Sequence, residues 1–248
     1  MIVAVVLGGS DRADPLARAV GVAAKALVPV GGRPMASYVL EALRESEAVS
    51  AYVYVGSATP ELRALATQTL ASGESLTASL RAGLEAAETL NPERILAISA
   101  DLPWLTARTV DTFVQDAPPA AAVYPVIPKE VAERQFPGQK RTYANLKEGA
   151  FTGGNAILLE PRILPTLLPF VDRAYEGRKN PLSLARLVGV RFALKLLVGK
   201  LAVSDLEKRI SEILGMNVRA LRSQDAALGA DVDKLEHIEA WEKPRKPA

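Results

Sequence analysis

The sequence predicts an α/β protein with a mostly parallel sheet and helices on both of its faces. Three observations predict it. Short apolar runs recur along the first half, helical patterns separate them, and the first run ends in two glycines with a lysine beyond. A strand buried on both faces reads as an unbroken apolar run, and strand–helix–strand alternation sets such strands side by side in one direction.

The elements follow in order. Val3–Leu7 is the first buried strand, and it runs directly into Gly8-Gly9. No basic stretch precedes it, so it reads as a strand and not as an export signal. A polar, flexible stretch leads to Lys25, and Pro29-Val-Gly-Gly-Arg-Pro-Met35 opens an amphipathic helix expected over Met35–Ser46. Tyr52–Val55, Ile95–Ser99 and Ala121–Pro125 are the next strands, with helices over Pro60–Leu70, Leu76–Leu90 and Ala107–Asp116 between them. Leu76, Leu80, Leu84 and Ala87 fall on one face, the spacing of a helix laid on a sheet. Beyond these, Pro125–Lys147 is polar, contains prolines and the pair Lys140-Arg141, and reads as a long functional loop region. Ala156–Leu159 is a further strand, Pro161 to Leu214 is largely helical, and a last helix over Lys234–Trp241 follows Asp231-Val-Asp233. No linker divides the chain, which is expected to form one domain over 1–248 with a mainly helical portion over 161–248.

Composition narrows the class. At 248 residues the chain can bury a substantial core. Lys and Arg number 30 against 28 Asp and Glu, which lacks the basic excess of a nucleic-acid binder. The absence of cysteine excludes disulfides and thiolate metal sites. No uncharged stretch reaches membrane-spanning length, so a soluble, cytoplasmic protein is expected.

Two features carry chemistry. A buried strand that ends in Gly8-Gly9 and hands over to a loop with Lys25 has the layout of a phosphate site, since glycine lets backbone N–H groups approach an anion and the ammonium adds charge. Asp101 ends the apolar run Arg94–Ala100 and precedes Leu102-Pro103. A carboxylate at the carboxyl end of a parallel strand lies where ligands collect and can hold a metal, although a turn aspartate before a proline has the same form. Asp231 and Asp233 offer a second carboxylate, with Asp233-x-x-Glu236 also fitting a helix capping box.

Leu7-Gly8-Gly9, Lys25-Ala-Leu-Val-Pro-Val-Gly-Gly-Arg-Pro-Met35, Ser99-Ala-Asp-Leu-Pro103 and Asp231-Val-Asp-Lys234 together resemble the MobA-like nucleotidyltransferases, over residues 1–160 and the Asp233 segment. The resemblance implies a three-layer α/β/α sandwich with a mostly parallel mixed sheet, the nucleotide-diphospho-sugar transferase or GT-A-like fold. It implies transfer of a nucleoside monophosphate from an NTP to a small-molecule acceptor with release of pyrophosphate. Leu7, Gly8 and Gly9 would then line the base and phosphates, Lys25 would contact the phosphates, and Asp101 would hold Mg2+ with Asp233 as second ligand. Ser79 would touch the nucleotide. The glycine loop departs from the family pattern at Ser10-Asp-Arg12, where Arg12 stands in for an expected arginine.

Lys140-Arg-Thr-Tyr143, Phe151-Thr-Gly-Gly-Asn155 and Arg178-Lys-Asn-Pro181 resemble a bacterial subgroup of the same family whose acceptor is left open. Gly153, Gly154 and Asn155 can bring backbone and an amide close to a ligand, or form an ordinary turn. Arg141 and Arg178 can clamp an anionic acceptor bidentately. The basic, apolar stretch 182–203 suits packing on the domain or on a second copy in a homodimer, ahead of peripheral contact with a membrane. His237, the single histidine, suggests neither a triad nor a zinc site. A glycosyltransferase using an NDP-sugar and a non-catalytic nucleotide-binding regulator remain alternatives. A dinucleotide oxidoreductase does not, because Gly8-Gly-Ser-Asp11 lacks the Gly-x-Gly-x-x-Gly pattern.

Overall fold

The computed structural model describes residues 1–9, 14–177, 189, 192, 194–195 and 198–242. Among them one mixed sheet carries the strands β1 (Ile2–Leu7), β4 (Ala51–Val55), β5 (Gln68–Leu70), β6 (Arg94–Ser99), β7 (Ala122–Pro128), β8 (Ala144–Leu146), β9 (Gly149–Gly153), β10 (Ala156–Leu159) and β11 (Val218–Arg222). Their order is β5-β4-β1-β6-β10-β7-β9-β8, with β11 beside β7. β9 and β10 run against the others. A small hairpin of β2 (Pro29–Val30) and β3 (Arg33–Pro34) lies apart. The sheet is therefore mixed but mostly parallel, as expected.

Alternation along the buried strands feeds two cores. Ala4, Val6, Leu96 and Ile98 point to one face, under helices α2 (Met35–Glu45) and α5 (Ala107–Asp116). Val3, Val5 and Ile95 point to the other, under α4 (Leu76–Glu88) and α7 (Leu164–Gly177). Both faces are dry, which is why these strands show no polar alternation. Four of the helices begin on a capping side chain. Asp14 caps α1 (Pro15–Val20), Thr59 caps α3 (Pro60–Leu65), Ser75 caps α4 and Thr106 caps α5, each side chain accepting a backbone N–H of the first turn. Helix α4 presses so closely on the sheet that a Cβ at Gly83 would lie 2.5 Å from Val5 Cγ1, which explains a glycine in mid-helix.

Two expectations need correction. The helix expected over Pro60–Leu70 ends at Leu65, and Gln68–Leu70 pairs with Val53–Val55 as the edge strand β5. Three residues are too few to show a strand period. The region expected to be a loop over Pro125–Lys147 contains the rest of β7, helix α6 (Lys129–Gln135) and strand β8. Of its prolines, Pro125 lies within β7, Pro128 joins β7 to α6, and Pro137 lies in the turn after α6. The mainly helical C-terminal portion contributes α7, α8 (Val203–Leu214) and α9 (Leu235–Glu242), but also β11, whose sequence Val-Arg-Ala-Leu-Arg is too charged to read as buried. No helix among the described residues is long and apolar enough to cross a membrane.

Candidate active site

Strand β1 lies between β4 and β6, and the chain leaves it toward β4 before returning to β6 on the other side. Where successive connections diverge in this way, a crevice opens beyond the carboxyl ends of the strands. Here it is a cleft of about 370 Å³. Gly8, Gly9, Lys25, Ser99, Asp101 and Asn155 line it on the polar side, and Leu76, Leu80 and Ile157 form an apolar wall. Leu7 and Gly154 also line it, so most of the residues singled out in the sequence meet in one place.

The glycine pair works differently from expectation. The N–H groups of Gly8 and Gly9 both donate to the Val55 carbonyl, at 2.9 and 3.0 Å, and so close the turn. A Cβ at Gly8 would lie 2.3 Å from the hydroxyl of the fully buried Tyr54, so packing requires glycine there.

Lys25 sits in a short 3-10 turn over Lys25–Leu27 with its side chain 12% exposed. Its ammonium donates to Asp101 Oδ2 at 2.6 Å and to Asp233 Oδ1. Ser99 Oγ donates to the other oxygen of Asp101. The backbone N–H of Val232 donates to the Asp101 carbonyl at 3.1 Å, which brings the Asp231–Asp233 strap alongside. Carboxylate oxygens of Asp101, Asp231 and Asp233 all lie within 4.8 Å of one another. Burial alone would lower the Lys25 pKa, but Asp101 and then Asp233 outweigh it and hold the ammonium above its usual range. Burial, then the like charges of Asp101 and Asp233, push the Asp231 carboxyl up to about 6. Burial would raise Asp233 too, but its hydrogen bond from Lys25 prevails and lowers it. Hard oxygen donors crowded until one resists ionisation suit a small divalent cation, so the residues fit a metal of the Mg2+ type.

Asp231 was placed with Asp233 in sequence as the source of one carboxylate; the structure brings both to Asp101. Residues two apart in extended chain share a face, so Asp231 and Asp233 can converge while the fully buried Val232 between them turns the other way. The Asp233 carboxylate turns to Lys25, while its N–H donates to His237 Nδ1 at 3.2 Å.

Other residues fall elsewhere. Ser79 is 2% exposed, is absent from the cleft lining, and accepts the Gly73 N–H at 3.0 Å. Arg141 does not line the cleft; its guanidinium donates to the Gly229 carbonyl and to Gln139 Oε1. Gly153 gives way to Tyr124, whose hydroxyl would lie 2.3 Å from a Cβ there, and only its neighbours Gly154 and Asn155 reach the cleft. Arg12, Arg178 and most of 182–203 lie outside the described residues. Tyr124, Leu76, Leu80 and Ile157 line the site although nothing in their sequence context beyond apolar character marked them.

A mostly parallel sheet with its crevice at β1 and β6, a lysine in the turn Lys25–Leu27 lining that crevice and a carboxylate cluster facing it define a nucleotidyltransferase. The chain belongs to the MobA-like NTP transferase domain family, whose model matches residues 4–196. It is similar to a hypothetical transferase structure from Thermus thermophilus, with 43% identity over 95% of this chain and 98% of that one and a TM-score of 0.87. Its fold is shared with a 2-C-methyl-D-erythritol 4-phosphate cytidylyltransferase from the same organism, at 18% identity, 98% coverage of both chains and a TM-score of 0.55. A nucleotidyl transferase from Methanothermobacter thermautotroptrophicus gives 14% identity, coverage of 97% and 95%, and a TM-score of 0.56. No curated protein matches the sequence.

Proposed function

We propose that this protein transfers a nucleoside monophosphate from an NTP to a phosphorylated or otherwise anionic small molecule, releasing pyrophosphate, with Mg2+ as its metal and the whole chain acting as one domain. The observation that carries this is the meeting of Lys25, Asp101, Asp231 and Asp233 at the mouth of the cleft beyond β1 and β6. In this reaction an acceptor oxygen forms a bond to the α-phosphorus as the bond from that phosphorus to the pyrophosphate oxygen breaks. Such a transfer asks for positioning and neutralisation of phosphate charge more than for covalent chemistry. Lys25 supplies a buried, permanently charged donor for the α-phosphate and the departing pyrophosphate. Asp101, Asp231 and Asp233 would hold Mg2+, which when bound acts as a Lewis acid and template. Ser99 keeps one oxygen of Asp101 occupied and so orients the other.

An acceptor phosphate is already ionised at neutral pH and needs no general base. His237 accordingly has another job: burial holds its imidazole below the usual range, and Nδ1 accepts the Asp233 N–H. Gly154 and Asn155, on the far side of Asp101 from the glycine pair, line the part of the cleft we assign to the acceptor; from the sequence we also assign Arg178 to the acceptor and Arg12 to the phosphates. The cytidylyltransferase name of one fold neighbour puts CTP first among the nucleotides to try.

The test is a screen of the four NTPs with Mg2+ against pooled phosphorylated metabolites, reading pyrophosphate. The expected result is release with one NTP and one pool, abolished in Asp101→Asn. Release of a nucleoside diphosphate from an NDP-sugar, or tight NTP binding without turnover in any pool, would overturn the proposal.

A further inference from the structure

We propose that Gln139 and Arg141 are positioning residues, a brace that sets the strap carrying Asp231 and Asp233 against Asp101; this rests on reading the three carboxylates as a cation site. Among the described residues, two backbone bonds tie the strap to the sheet and its strand ends, Asn155 N–H to the Leu228 carbonyl at 2.7 Å and Val232 N–H to the Asp101 carbonyl at 3.1 Å. Between those ties two of its carbonyls are taken by side chains from the loop after α6. Arg141 Nη1 donates to the Gly229 carbonyl, and Gln139 Nε2 donates to the Asp231 carbonyl at 2.7 Å. The two side chains are joined to each other, Arg141 Nη2 donating to Gln139 Oε1 at 2.8 Å. One connected unit therefore holds the peptide planes that flank the Ala230–Asp231 pair, and with them the direction in which Asp231 leaves the strap.

The brace has a firm footing. The Arg141 guanidinium lies 5.9 Å from the Phe136 ring centre, and Phe136 packs edge-on against Trp104 at 5.1 Å. Gly229 passes so close to the sheet that a Cβ would lie 2.7 Å from Ile127 Cδ1 and 3.0 Å from the Gly153 carbonyl, so the strap has little room to settle elsewhere. Arg141 is also poorly placed for an acceptor. It is absent from the cleft lining, and its Nε is buried with no hydrogen-bond partner among the described residues. Its positive charge acts instead on Asp231, beside a cluster otherwise rich in negative charge. Groups that orient metal ligands typically change metal affinity ~10–100-fold when removed.

The test compares wild type, Arg141→Met, Gln139→Ala and Arg141→Lys in the full chain. Mn2+ alone is titrated by electron paramagnetic resonance, and backbone deuterium exchange is followed in peptides covering 228–234. We expect Mn2+ affinity to fall about tenfold or more in the Met and Ala variants. Exchange should quicken over 228–234 while staying unchanged in β1 and β6, which a general loss of structure would not produce. Arg141→Lys should recover part of both, because an ammonium can still donate to the Gly229 carbonyl. Wild-type Mn2+ affinity together with wild-type exchange would overturn the brace. So would a variant whose KM rises for the acceptor alone, which would return Arg141 to the acceptor. Should wild type itself take up no Mn2+, the cation reading fails, and the exchange of 228–234 still decides whether the brace holds the strap.

Discussion

Replacing Lys25 by Met should move metal and nucleotide affinity in opposite directions. The ammonium occupies oxygens of Asp101 and Asp233 that an incoming cation needs, so a metal entering the free protein must displace it. A charge-assisted hydrogen bond to a largely buried partner such as Asp101, 16% exposed, contributes about 1.5–3 kcal/mol. The bond to Asp233, 59% exposed, is screened and adds about 0–1 kcal/mol. With about 2–3 kcal/mol of competition removed, the variant should bind Mn2+ ~30–150-fold more tightly at pH 7.5. Its stability without metal should fall by a similar amount, because three carboxylates within 4.8 Å then face one another without that cation. Metal-free NTP, titrated calorimetrically in the presence of a chelator, should bind at least about tenfold more weakly, since a charged phosphate donor is gone. Equal Mn2+ affinity in the two proteins would refute the reasoning, for it would mean that ammonium and metal do not share ligands.

Three further outcomes follow from the geometry. The Asp231 carboxyl titrates at about 6 in the folded protein against an ordinary value of 3.8, so its ionisation opposes folding; without metal, stability should decline by ~3 kcal/mol from about pH 4 to about pH 6.5 and then level off, with Asp231→Asn removing the decline in urea titrations. Gly8→Ala should lower stability by about 1–3 kcal/mol through the clash with Tyr54, read by chemical denaturation; a change below ~0.5 kcal/mol would show that the turn has room. Ser79→Ala should lower stability by about 1 kcal/mol through its bond from Gly73 while leaving the KM for NTP within about twofold; a large KM rise at unchanged stability would make Ser79 a nucleotide contact after all.

The strands at the sheet's centre were legible because burial on both faces leaves an apolar run that no helix of that length would show. Val3–Leu7, Ile95–Ser99 and Ala156–Leu159 match the structure to within a residue. The edges were not, since Gln68–Leu70, Ala144–Leu146 and Val218–Arg222 are short and half-exposed, and the last pairs with Ala122–Val126, far away in sequence. Site chemistry follows the same division. Asp101 stands at a strand exit, and Lys25 follows the glycine pair that ends β1, positions that by themselves suggest a ligand. Arg141 carries equally suggestive chemistry, but its partner is the Gly229 carbonyl, 88 residues away.

By itself the sequence determined which segments become helix or strand in the central layers, through periodicity, and which side chains carry charge suited to phosphate and metal. Only the tertiary structure decided that Lys25 meets Asp101 across 76 residues and Asp233 across 208, and that both glycine N–H groups turn inward to Val55. The physical reason is that local pattern governs conformation through nearest neighbours. Convergence is set instead by how the reversal of strand order at β1 and β6 brings the ends of distant segments to one crevice.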